Sequence, residues 1–170
     1  AEVLTDDALT AALIEVERHV GRSGWDQPAR LFALVRTAEL IAAEPALAEQ
    51  LSQAPADGYT SVEQETFVAG DDLAETLARI AWPPTVAGCV LALERTFLPS
   101  DAEVDLPDDP AAAAKLVIDH PRRLDLRVVV GATRDGGRHG VARIRSEAEE
   151  LIGGADLVPA LALALSRTLD

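Results

Sequence analysis

Arginine is the side chain with the most chemistry to offer in this sequence, and it is unevenly placed. Residues 124–145 hold Arg127, Arg134, Arg138, Arg143 and Arg145, with His139 among them. Clustered guanidinium groups bind carboxylates and phosphates through paired N–H donors. Leu124, Leu126, Val128 and Val130 alternate along one stretch, and Ala142 and Ile144 along another. That rhythm predicts a hairpin with apolar side chains on one face and arginines on the other. Its turn is expected at Asp135-Gly136-Gly137. A three-residue loop sorts the faces cleanly, setting Val130 opposite Ala142, Val128 opposite Ile144, Arg127 opposite Arg145 and Val129 opposite Arg143. Like charges directly across a sheet cost stability, so something must offset them. One candidate is the same chain: the acidic loop 98–110, or Glu147, Glu149 and Glu150. The other is an acidic protein surface or an anionic ligand docked on the basic strand face.

A second constellation is Trp25, Asp26 and Arg30, in and just after the loop Gly24-Trp25-Asp26-Gln27-Pro28. A loop tryptophan beside Asp, Gln and Arg can stack on a ligand and hydrogen-bond it, or it can cover the edge of the core; Trp82 before Pro83-Pro84 has the same two readings. Cys89 lies in a predicted strand and reads as a small core residue. His19, His120, His139 and Cys89 lack metal-ligand spacing. No Gly-x-Ser-x-Gly elbow is present, and the carboxylates are too numerous for any pair to signal acid–base chemistry. Gly136-Gly137 has no following helix, and Asp156 would repel a phosphate at the helix after Gly153-Gly154. No catalytic residue, metal or cofactor is assigned.

The background to these residues is acidic, with a formal net charge of −14 over 170 residues. Residues 1–114 carry 6 Arg and Lys against 21 Asp and Glu, residues 115–145 carry 8 against 3, and residues 146–170 carry 1 against 5, which gives nets of −15, +5 and −4. A basic island inside an acidic chain disfavours nucleic acid and anionic membrane as partners and favours a protein partner or self-association. The single cysteine suits a reducing compartment, and no stretch reads as a membrane span or secretory signal, so a cytoplasmic location is expected.

The elements that position these residues follow from periodicity. Leu9, Leu13, Val16 and Val20 form one helical stripe, with Thr5 as N-cap and Gly21 as the C′ residue. Residues 30–36 fit a strand or a helix. A short buried strand is favoured, with Thr37 capping a helix from Ala38 and Pro45 breaking it. Residues 52–70 are read as a mobile excursion. Asp72 and Glu75 suit a capping box before a short helix, residues 85–97 a strand, Asp109-Pro110 a helix start, and Asp156 the cap of a final apolar helix. The expected fold is a single α+β domain over residues 1–170, a mostly antiparallel sheet of about four strands with helices packed on one face, in the order α-β-α-α-β-α-β-β-α.

The stretches Gly24-Trp25-Asp26-Gln27-Pro28 with Arg30-Leu31-Phe32-Ala33-Leu34-Val35, Trp82-Pro83 with Val86-Ala87-Gly88-Cys89, His120-Pro121, Arg134-Asp135-Gly136 and Asp156-Leu157-Val158-Pro159 resemble an uncharacterised family of small acidic actinobacterial proteins. The resemblance covers nearly the whole chain. It implies a bacterial cytoplasmic setting and supplies no activity, cofactor or catalytic residue. The leading expectation is a non-enzymatic interaction domain, adaptor- or chaperone-like and able to form homo-oligomers, that uses the basic strand face. Its rival is a small-molecule binding protein or enzyme with a pocket near Trp25, Asp26 and Arg30.

Overall fold

The computed structural model describes residues 2–47, 49, 58–65, 67–68, 73–97, 109–112, 115, 124–145, 147–154 and 159–169. Helix α1 (Glu2–Gly21) leads into strand β1 (Arg30–Arg36), helix α2 (Thr37–Ala43) and a 3₁₀ turn (Pro45–Leu47). Strand β2 (Tyr59–Glu63), helix α3 (Leu73–Ala78) and strand β3 (Gly88–Phe97) follow. The chain then gives β4 (Leu124–Thr133), β5 (Arg138–Ile144), β6 (Glu147–Gly154) and helix α4 (Pro159–Thr168). All six strands form one antiparallel sheet in the order β2-β1-β3-β4-β5-β6.

The sheet is buried on both faces. Phe32, Leu34, Val90, Ala92, Val129 and Val141 point to one face, where they meet the α1 stripe of Leu9, Leu13, Val16 and Val20. Leu31, Ala33, Leu91, Val128, Val130 and Ala142 point to the other, against Leu77 of α3 and Ala162, Leu165 and Leu169 at α4. The α+β class stands, but the expectation of about four strands with helices on one face is corrected: the described residues form six strands, and helices cover both faces. The reason is in β1, β3 and β4. Their runs of consecutive apolar residues, such as Leu31-Phe32-Ala33-Leu34, fit strands buried on both sides rather than on one. Residues 30–36 are accordingly strand.

Two strands go beyond the expected set. β2 falls inside the segment read as an excursion, and β6 takes in Glu147, Glu149 and Glu150. Thr37 does not cap α2. It is the first helical residue, and its hydroxyl meets that of Thr60 at 2.9 Å. Gly21 closes α1, and the positive φ at this exit belongs to Gly24, at 83°. Asp109 does take a capping hydrogen bond, from Ala112 N at 3.2 Å. The acidic loop except Asp109 and Pro110, together with Asp72, His120, Pro121 and Asp156, lies outside the described residues.

The β4–β5 hairpin keeps its three-residue loop, displaced by one position to Arg134-Asp135-Gly136. Thr133 N donates to Gly137 O and Gly137 N to the Thr133 hydroxyl. Each partner therefore moves by two: Val128 faces Ala142, Val129 faces Val141 and Arg127 faces Arg143. A shift of two preserves which face each side chain occupies.

Candidate functional site

Much of the arginine face of the hairpin lies under α1, which buries Arg127 and half-buries Arg143, while Arg145 stays exposed. Arg127 is 3% exposed and lies opposite Glu94 on β3 and Arg143 on β5. Glu17 of α1, 1% exposed, reaches down between the two arginines. One of its oxygens accepts from Arg127 Nη1 at 2.9 Å, and the other from Arg143 Nε at 2.9 Å and Nη2 at 2.6 Å. Burial alone would raise the Glu17 carboxyl, but the hydrogen bonds from Arg143 and Arg127 outweigh it and hold the group below the ordinary carboxylate range. Gly21 makes room for this arrangement, since a Cβ there would sit 3.1 Å from Arg127 Nη1.

The loop after α1 completes the cluster. Arg127 Nη2 donates to Gly24 O at 2.6 Å. The Trp25 ring lies under two guanidinium groups, with Arg127 at 4.3 Å and Arg145 at 5.4 Å from its centre. Arg145 also pairs through two nitrogens with Asp26, at 3.0 and 3.2 Å, and holds that exposed carboxyl below its ordinary value. Asp26 has a φ of 65°, an uncommon backbone for a side-chain-bearing residue. Glu94 secures it by accepting from Asp26 N at 2.9 Å and Gln27 N at 2.8 Å. Three guanidinium groups thus stand against three carboxylates, Glu17, Glu94 and Asp26. The cluster neutralises itself: Arg127 and Arg143, expected on an open face, are held by Glu17 in a clamp between α1 and the sheet, and Arg145 pairs with Asp26 at its exposed rim.

The remaining candidates have separate places. Arg134 Nε donates to Val86 O at 2.6 Å, and its terminal nitrogens to Pro83 O at 2.9 Å, Trp82 O at 3.2 Å and Leu169 O, so it staples the loop before β3 to the end of α4. Arg138 is exposed and His139 half-buried beside the turn. Arg30 pairs with both oxygens of Glu63 on β2, at 2.7 and 2.6 Å, and its hydrogen bond holds the Glu63 carboxyl below the ordinary range. Cys89 is buried beside Thr168, and burial pushes its thiol up to about 11, which keeps it protonated and unreactive at neutral pH.

A cleft of about 900 Å³ opens where α1 faces β2, lined by Ile14, Glu15, Arg18, Arg22, Ser61 and Glu65, among others. His19 lies 3.7 Å from Glu63 across it. Arg18 and Arg22 form no ion pair among the described residues. Trp25 and Asp26 line neither this cleft nor a smaller one of about 280 Å³ between α3 and α4. Sequence reasoning missed both Glu17 and the cleft. Glu17 carried a signal: four residues after Leu13 and three before Val20, it is a carboxylate inside the apolar stripe, which calls for a buried partner. The cleft carried none, because β2 was not recognised as a strand.

Among the described residues, no group of three His, Cys, Asp or Glu side chains is placed to hold a metal ion, and no helix is long and apolar enough to cross a membrane. The family described as PPA1309-like protein matches residues 9–170, a span that takes in every strand of the sheet. No curated protein and no solved structure matches the chain.

Proposed function

The chain belongs to the PPA1309-like protein family, and we propose that it is a non-enzymatic interaction domain that docks a protein partner along the flank where α1 meets β2. The carrying observation is where cationic charge is left over. Arg127, Arg143 and Arg145 are occupied by Glu17 and Asp26, and Arg134 by backbone carbonyls. Arg18 in the last turn of α1 and Arg22 just past its end are exposed above an open cleft. Cations with no ion pair among the described residues, beside an edge strand, supply charge complementarity and main-chain pairing together.

The test is affinity capture from the native lysate with the unmodified protein and with an Arg18→Glu/Arg22→Glu variant. The reading expects a captured protein which, once purified, binds the variant at least about tenfold more weakly. Equal binding to both would overturn it. A second reading is favoured by the cleft's volume, which falls among those of small-molecule sites. It expects a metabolite panel to raise the melting temperature of the unmodified protein and not that of a Ser61→Trp variant, whose new side chain projects into the cleft.

A further inference from the structure

We infer that the partner on this flank is a second copy of this chain, joined by pairing of the two β2 strands about a two-fold axis at Ser61. This rests on reading the α1–β2 flank as an interaction surface.

The backbone of β2 sets the geometry. Gly58 O accepts from Thr37 N, and Gln64 N donates to Leu31 O. In an antiparallel ladder the residues that bond a given neighbour alternate. Positions 58, 60, 62 and 64 therefore face β1, while Tyr59, Ser61 and Glu63 direct their N–H and C=O groups away from the sheet. β2 is the terminal strand, so among the described residues no other strand takes these groups. A two-fold axis at Ser61 sets that residue against its own copy, Tyr59 against the partner's Glu63, and Glu63 against the partner's Tyr59. Every outward N–H then meets an outward C=O, giving about six main-chain hydrogen bonds. No other occupant is needed to complete the edge.

The opposite edge is built differently. β6 opens in sequence with three glutamates among four residues, and the β5–β6 ladder shifts register between Arg143 and Ile144. Charge and irregularity are how sheets block edge pairing. β2 holds one acid, Glu63, already matched by Arg30, and it exposes Val62 at 44%.

Charge selects the same place. Two copies at −14 each repel one another over most of their surface. The flank itself carries Glu15, Glu63 and Glu65 against Arg18, Arg22 and Arg30, three against three, so this patch is formally neutral. α1 lies over β4 and β5 and reaches β2 along one flank, in the same direction: Tyr59 packs in the cluster of Leu9 and Leu13, and His19 meets Glu63. The two-fold axis thus lays the two α1 flanks antiparallel across the joined sheets. Ile14 and Glu15 fall level with the axis, so that Arg18 of each copy is placed on the side of the partner's Glu15. The cleft is closed by its own duplicate.

Analytical ultracentrifugation of the unmodified protein, Ser61→Pro and Ser61→Cys tests this. The unmodified chain is expected to dimerise in the micromolar range. Proline at position 61 removes an N–H with no role inside the monomer, a site where an edge strand tolerates it. Dimerisation should weaken on the order of thirtyfold or more, since two main-chain hydrogen bonds are lost per dimer, with the circular dichroism spectrum unchanged. Ser61→Cys should cross-link under mild oxidation, because buried Cys89 does not compete. A monomer at every concentration, or a dimer untouched by Ser61→Pro and refractory to cross-linking through Ser61→Cys, overturns the inference. If the protein is monomeric yet captures another protein through Arg18 and Arg22, the interaction reading stands and the self-pairing falls; if it does neither, both fall.

Discussion

Glu17 supplies one carboxylate to two guanidinium groups in a nearly water-free site, and that stoichiometry sets what its loss would do. Removing one member of a buried ion pair leaves the other charged and unpaired, which costs more than the pair contributes. Glu17→Ala is therefore expected to lower the unfolding free energy by about 3–5 kcal/mol in urea titrations. Arg127→Met with Glu17→Leu should recover most of it, since Arg143, less buried than Arg127, can turn to solvent. The pH response has a definite sign. The folded-state Glu17 carboxyl lies below its unfolded value, so its stabilisation is fully present above the unfolded value of about 4.3 and is lost as pH falls through the lowered one. Glu63, lowered by Arg30, acts in the same window. Glu17→Gln should flatten the stability curve of the protein below about pH 4.3; an unchanged slope would remove Glu17 as its source. The arginines were legible in the sequence because period-two alternation separates them from the valines. Their partner was not identified, because a helix and a hairpin more than a hundred residues apart meet only through tertiary packing.

At the scale of elements, legibility followed burial. β1, β3, β4 and β5 were found from apolar content, and α1 from its stripe. β2 (Tyr-Thr-Ser-Val-Glu) and β6 (Glu-Ala-Glu-Glu-Leu-Ile-Gly-Gly) are edge strands with few apolar residues, and at an edge the ladder hydrogen bonds to the inner neighbour do what side-chain burial does inside. Helices on both faces went unread for a related reason: alternation was taken as a sign of one wet face, whereas the second face here holds arginines neutralised from above. Two glycines test how closely the layers approach. A Cβ on Gly88 would lie 2.6 Å from the Ala132 carbonyl oxygen, and one on Gly131 would lie 2.8 Å from a Leu13 methyl. Both alanine variants should destabilise by about 1–3 kcal/mol. Gly88→Ala should cost more, because β3 and β4 backbones must part, while the Leu13 side chain can rotate. Chemical denaturation of the two variants orders them, and the reverse order would mean that α1 is the more rigid neighbour.

Across the whole molecule, the basic island at residues 115–145 is not a basic surface. Arg127, Arg143 and Arg145 face carboxylates from α1 and the loop behind it, which takes three of its cations out of play on a chain whose net charge is −14. The consequence for self-pairing is a dependence on salt opposite to that of an Arg-to-acid docking site. Repulsion between two copies acts over the size of a 170-residue globule, with a radius of about 20 Å. The Debye length shrinks from about 30 Å at 0.01 M salt to about 8 Å at 0.15 M, which removes most of that repulsion. Contacts between Arg18 and the partner's Glu15, and the strand hydrogen bonds, act within a few ångströms and lose much less. Raising salt over this range should therefore tighten the dimer by at least about tenfold, read from sedimentation at several concentrations. A foreign protein of little net charge, held at Arg18 and Arg22 by a local acidic patch, would instead be released over the same range, because its attraction is what the ions screen. The direction of the salt effect alone thus separates a second copy from such a foreign partner on the same flank, before either is seen in a complex.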